Sequence, residues 1–251
     1  MTVDINLIAL LFFVVATLYS IAGFGGGSSY VALLIISGVS YKIAPTLALT
    51  CNLIVVTMGT INFLRHKQVQ WSLALPFMIT SIVFSYFGGL IDISKTMYQL
   101  VLGCSLFIAG TKMIFFRKNS CYNDFRDSPP LLLCTIIGAI LGLISGIVGI
   151  GGGIFLAPLL YILKWGNPKY IASTASLFIL VNSIAGLVGH YHRNDGLIDF
   201  NNYIPLFIAV IIGGQLGSFL TNHKLSPRII ELSTSVLVMI VSLRLFWNVI
   251  N

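Results

Sequence analysis

Residues 20–30 read SIAGFGGGSSY, with Gly23, Gly25, Gly26 and Gly27 crowded into an otherwise apolar stretch. A second cluster, GIGGG at residues 149–153, repeats the first at a separation of 126, Gly23 to Gly149. Each cluster follows a long apolar run and precedes a short one, residues 28–39 and 154–163. At about 1.5 Å per helical residue the short runs extend only ~15–18 Å, roughly half of a hydrocarbon layer ~30 Å thick. Neither is expected to cross a membrane independently. Whether the chain turns back at the glycines or continues through them therefore decides the fold.

The rest of the chain is built for lipid. It has 251 residues, is 57% hydrophobic and only 8% charged. Long apolar segments run over about 5–22, 44–64, 72–91, 97–116, 130–148, 170–191, 203–221 and 228–248. The leading MTVD has no basic stretch and no small-residue cleavage site follows the first apolar run, so residue 5 onward is read as structure and not as a removed signal. The expected fold is an all-α polytopic membrane protein with about eight long helices and two short half-helices. The net charge of +7 comes from basic residues dispersed among short loops, a pattern of membrane orientation and not of nucleic-acid binding. Cys51, Cys104 and Cys134 lie within apolar segments and Cys121 in a polar loop, none at metal-ligand spacing.

The same order, long helix, glycine cluster, short helix, then three long helices, occurs twice. This is an internal duplication, with residues 1–116 as the first repeat, 117–129 as a connecting loop and 130–251 as the second repeat. Thr46 matches Thr174, Phe63 matches Tyr191 and Arg65 matches Arg193 at a separation of 128, and Pro76, Gly88 and Lys95 match Pro205, Gly217 and Lys224 at 129.

Basic residues weigh the two topologies. If the chain turns back, Lys42, Lys95, Arg193 and Arg244 fall on one side and the other ten Lys and Arg residues on the opposite side. If each glycine cluster merely breaks one crossing, the division is six against eight. The positive-inside rule favours turning back. Each repeat then holds a re-entrant hairpin and three crossings, an odd number, so the second repeat is inverted relative to the first. Both termini are expected outside and the 117–129 loop in the cytoplasm.

A re-entrant chain must break its helix inside the membrane, where irregular backbone is tolerated only against protein or a water-filled cavity. Glycine permits that break. The short helix that follows points its free amides and positive dipole end inward, where Ser28 and Ser29 can cap it or an anion can bind. Gly25, Gly26, Gly27 and Ser28, with Gly151, Gly152 and Gly153 arriving from the opposite side, are the candidate substrate-binding groups. Tight helix packing is the alternative use of such glycines. On the helix after the second hairpin, Ser176, Ser183 and His190 share one face at a spacing of seven, and Asn52 lies near the equivalent stripe of the first. These residues can line a substrate path or bond between helices. Thr46, Thr50, Thr57 and Thr60 are expected to bond back to helix carbonyls, and Arg228 to pair with Glu231 one turn later. Arg65 and Arg193 serve as interface anchors or draw anions to the entrances.

The paired GFGGGSSYVALL and GIGGGIFLAPLL segments, the APTLAL and ASTASL that follow them, and the four-plus-four arrangement resemble the TauE/SafE family of membrane permeases, often called sulfite exporters. The resemblance covers essentially the whole chain. The second copy carries the family's proline, Pro158, where the first has Ala32. The resemblance implies a bacterial inner-membrane permease for small anions such as sulfite, sulfonates or other organosulfur and organic anions.

The expected function is alternating-access transport of such an anion, with the lipid bilayer as its environment, no catalytic residue, metal, cofactor or nucleic-acid partner, and a homo-oligomer left open. GFGGGS lacks the preceding strand and following Lys-Ser/Thr of a phosphate loop. A passive anion channel is the nearer alternative. A rhomboid-like serine protease using Ser145 and His190 is the remoter one, because Leu143 stands where its G-x-S-G motif needs glycine.

Overall fold

The computed structural model describes residues 5–21, 25–115, 129–193, 200–220, 239, 242–243 and 245–247. Its helices are α1 (Ile5–Ile21), α2 (Gly27–Ile36), α3 (Ala44–Arg65), α4 (Trp71–Leu90), α5 (Lys95–Phe115), α6 (Leu131–Val148), α7 (Gly153–Leu163), α8 (Pro168–Arg193) and α9 (Ile204–Leu220), the last preceded by a 3-10 turn at Asn201–Tyr203. Most of the expected 228–248 segment, the Arg228–Glu231 pair, Cys121 and Lys224 lie outside the described residues.

Among the described residues five stretches, Ala44–Arg65, Trp71–Leu90, Leu131–Val148, Lys169–Arg193 and Asn201–Phe219, are long and apolar enough to cross a bilayer. Their outward faces carry exposed Ile79, Leu132, Ile212 and Phe219, while Ser81, Ser85, Ser145, Ser173 and Ser183 are buried. This inside-out distribution is what lipid selects, because hydrocarbon solvates leucine and cannot hydrogen-bond serine. The protein is an all-α polytopic membrane protein.

The two hairpins enter from opposite ends of the bundle. Phe12 stacks on Tyr30 with ring centroids 4.7 Å apart, and Tyr19 bonds Ser29 at 2.9 Å, so α2 runs back along α1. From α2 the chain reaches the end where the Arg193 guanidinium donates to the carbonyls of Ile91 (2.9 Å) and Lys42 (3.3 Å), and where Lys42 meets Asp92 at 3.8 Å. Arg193 thus ties loops together, an anchoring role. α7 instead runs to the opposite end, where Trp165 shares an apolar cluster with Leu73 near the start of α4.

Glycine lets the flanking helices approach. α6 lies parallel to α4, with Gly138 against Phe77, Gly142 against Ser81 and Gly146 against Ser85 at backbone contact. α1 lies parallel to α9, with Gly213 and Gly217 against Phe13 and Thr17, and Ser20 donates to the Gly214 carbonyl at 2.8 Å. Helices from residues 1–116 and 130–251 are therefore interleaved. Small-residue contacts of this kind replace the hydrophobic drive that is absent between helices in lipid.

Candidate functional site

Both glycine clusters come together in the interior. Gly27 sits so close to the Ile150 carbonyl that any side chain there would collide with it, and Gly25 and Gly151 are packed on opposite atoms of the Asn52 amide. The reversals also need backbone that only glycine adopts freely: φ is 85° at Gly26, 80° at Gly149, 81° at Gly151 and 79° at Gly152. Gly149 ends α6 in the left-handed conformation, its N–H returning to the Ser145 carbonyl at 2.8 Å. Tyr98 of α5 braces the same turn by donating to the Val148 carbonyl at 3.1 Å.

Asn52, on α3, is the hub. Its Oδ1 accepts the Gly27 N–H at 3.1 Å, while Nδ2 donates to the Ile150 carbonyl at 3.3 Å and to Ser183 Oγ on α8 at 3.0 Å. One buried side chain thus joins the first residue of α2, the second reversal and the central helix α8. Asn suits this position because a single amide offers an acceptor and two donors in a fixed plane.

The sequence-derived site is only partly assembled in one place. Gly25, Gly27, Asn52, Gly151 and Ser183 meet at the hub, with Gly26 initiating α2 beside it. Gly152 faces Phe178 and Ser145, and Gly153 faces Ile179. Ser176 instead bonds Thr60 at 2.9 Å, and His190 Nε2 donates to the Gly146 carbonyl at 2.7 Å. Seven residues of helix advance about 10.5 Å, so sharing a face with Ser183 leaves both residues two turns from it.

Two further expectations are corrected, and the remoter serine–histidine alternative finds no support. Ser28 and Ser29 do not cap α2: Gly26 is the N-cap, and the two hydroxyls turn to Tyr19 Oη at 3.4 and 2.9 Å. The left-handed Gly26 starts the helix one residue earlier than expected, placing both serines inside its first turn. Of the threonine stripe, Thr50 and Thr57 bond back to the Thr46 and Leu53 carbonyls at 2.9 and 2.6 Å, but Thr60 reaches across to α8 and Thr46 Oγ1 has no hydrogen-bond partner. Ser145 is not paired with His190, whose Nε2 is engaged with Gly146, while the buried Ser145 Oγ makes no hydrogen bond.

Asn182 and Tyr19 escaped the sequence reading. The Asn182 side chain is wholly buried, and neither amide atom has a hydrogen-bond partner among the described residues. It was the sole side-chain amide in α8 and adjoins Ser183, which were the available signals. Tyr19 could have been found as the repeat counterpart of Ser145 at the glycine separation of 126.

Apolar outer faces, interleaved crossings and a polar centre where two chain reversals meet define a polytopic membrane protein with an internal polar site. The family model described as sulfite exporter TauE/SafE matches residues 8–245, and the chain belongs to that family. It is a membrane transporter, as are its relatives by name. A probable membrane transporter protein of Sinorhizobium fredii is 36% identical, with 96% of this chain and 97% of the relative aligned. A probable membrane transporter protein of Methanocaldococcus jannaschii is 28% identical over 89% of this chain and 88% of the relative. No solved structure matches the chain.

Proposed function

We propose that this protein is a permease for small anions, namely sulfite, sulfonates or other organosulfur and organic anions, working by alternating access. The observation that carries the reading is the meeting of both reversals at Asn52, with α2 and α7 running outward from it to opposite ends of the bundle. Each helix directs first-turn amides and the positive end of its dipole toward the interior, and such ends attract anions. The residues supporting this site are Gly25, Gly26, Gly27, Asn52, Gly151, Gly152, Gly153 and Ser183.

Residues 1–116 and 130–251 act as inverted repeats that rock about this centre. The 117–129 loop lies in the cytoplasm and both termini outside, in a bacterial inner membrane. The interleaved pairs α4 with α6 and α1 with α9 give each repeat a firm hold on the other, so rocking is a rearrangement of packed helix pairs rather than separation of two domains.

Proteoliposome flux of sulfite, methanesulfonate, acetate and sulfate tests this, with Gly26→Leu and Gly152→Leu as variants. Saturable flux of a sulfur oxyanion, lost in both folded variants, is expected. Unchanged flux in both variants removes the glycine site, and strictly downhill flux under every ion gradient favours a passive channel.

A further inference from the structure

The two reversals differ in how their polar groups are used. In the first, the Gly27 N–H is bonded to Asn52 at 3.1 Å and the Ser29 hydroxyl to Tyr19 at 2.9 Å. In the second, Ser145 replaces Tyr19, and Ile154 and Phe155 replace Ser28 and Ser29, all at a separation of 126. The short Ser145 side chain is buried, has no hydrogen bond, and places Oγ 3.4 Å from where a Cβ on Gly152 would stand. The Ser145 side chain thus packs against the N-terminus of α7, an 11-residue helix whose first-turn carbonyl acceptor is Gly152: Phe155 and Leu156 donate to it at 3.1 and 3.3 Å.

Asn182 adds a second unused group. Phe178, one turn before it on α8, contacts Gly152, and Gly186, one turn after it, contacts Ser85 and approaches Gly146. Residues four apart share a helix face, so Asn182 lies on the α8 stripe that meets Gly152 at one level and Ser85 of α4, Leu49 of α3 and Gly146 of α6 at the next. Its backbone carbonyl is satisfied by Ser85 Oγ–H at 2.9 Å, yet both side-chain atoms are buried without partners. Ile54 occupies the equivalent place in the first repeat, at a separation of 128. Buried polar groups in native proteins are paired as a rule, so unpaired Ser145 and Asn182 near the start of α7 call for an explanation, as does the unpaired Tyr30 hydroxyl, whose ring packs on Gly26 at the α2 end.

We propose that the transported anion is received at the α7 end, by the Ser145 hydroxyl, the Asn182 amide and the Gly153 and Ile154 amides that precede those bonded to Gly152, while at the α2 end Asn52 already caps the Gly27 N–H. The proposal rests on the anion-permease reading. The donors are neutral and of three kinds, which suits a singly charged oxyanion offering several oxygens, such as an alkylsulfonate. Full charge neutralisation by lysine or arginine is not needed for such a ligand within a helix-dipole field.

Calorimetric titration of the full chain in detergent with methanesulfonate tests it, using Ser145→Ala, Asn182→Leu and Ser28→Ala. Loss of a hydrogen bond to a charged ligand is expected to weaken binding about tenfold or more in each of the first two variants, and less than about threefold in Ser28→Ala. Because neither removed group has a hydrogen-bond partner among the described residues, ligand-free Ser145→Ala and Asn182→Leu should melt at or above the wild-type temperature. Binding within threefold of wild type in both overturns the α7 assignment while leaving the permease reading intact. Lower melting in both overturns the claim that the groups are unspent. A wild-type protein that binds methanesulfonate no better than chloride and moves no sulfur oxyanion overturns the permease reading and this proposal together.

Discussion

Replacing Asn52 with leucine removes the hub while conserving its volume. Three groups lose their partner at once: the Gly27 N–H, the Ile150 carbonyl and the Ser183 hydroxyl. Leaving a buried polar group unpaired costs about 1–3 kcal/mol. Interhelical bonds measured in bilayers average only about 0.6 kcal/mol, because the unfolded chain in the membrane finds other partners. Two of the three groups here are backbone, held in place by glycine reversals that cannot relax without moving α2 or α7, so Asn52→Leu is expected to cost roughly 2–5 kcal/mol. Ser183→Ala removes one acceptor and leaves the Asn52 amide bonded to Ile150, so about 0.5–1 kcal/mol is expected. Reversible unfolding in mixed micelles, followed by circular dichroism, measures both. An Asn52→Leu variant within about 0.5 kcal/mol of wild type would refute the hub, because bonds that cost nothing to lose do not hold two hairpins together.

Gly142→Leu places a side chain into the Ser81 backbone on α4, so the α4–α6 contact must open; a loss of about 3 kcal/mol or more is expected in the same assay. Thr60→Val combined with Ser176→Ala should show a coupling of about 0.6 kcal/mol in a double-mutant cycle, the ordinary strength of such a bond in lipid. Cysteines introduced at Lys67 and Lys224 should both react with an impermeant maleimide from the cytoplasmic side; reaction from opposite sides contradicts the inverted repeat.

The helices were legible because their apolar runs end at residues that cannot continue them in lipid. The expected 44–64 and 130–148 segments match Ala44–Arg65 and Leu131–Val148 to within a residue, stopping at Arg65 and at Gly149. That Lys42 and Arg193 fall on one side was legible from the charge count, and the structure brings them to one end of the bundle. Depth was harder to read. A spacing of seven identifies a face, yet it did not distinguish Ser183, at the hub, from Ser176 and His190 two turns away. Pairing across helices was equally hidden: Asn52 and Ser183 are 131 positions apart, and only packing determines that they meet. The cap of α2 was misread because Gly26 can adopt a left-handed φ of 85°, which starts the helix before the serines that usually mark such a start.

The most direct measurement is the position of the anion itself. Selenite, the selenium analogue of sulfite, scatters anomalously, and a crystal structure of the full chain grown with it would locate the ion without prior assumptions. An anomalous peak within hydrogen-bonding distance of the first turn of α7, beside Ser145 and Asn182, is the expected result. A peak bound elsewhere in the bundle, away from both reversals, would contradict the account.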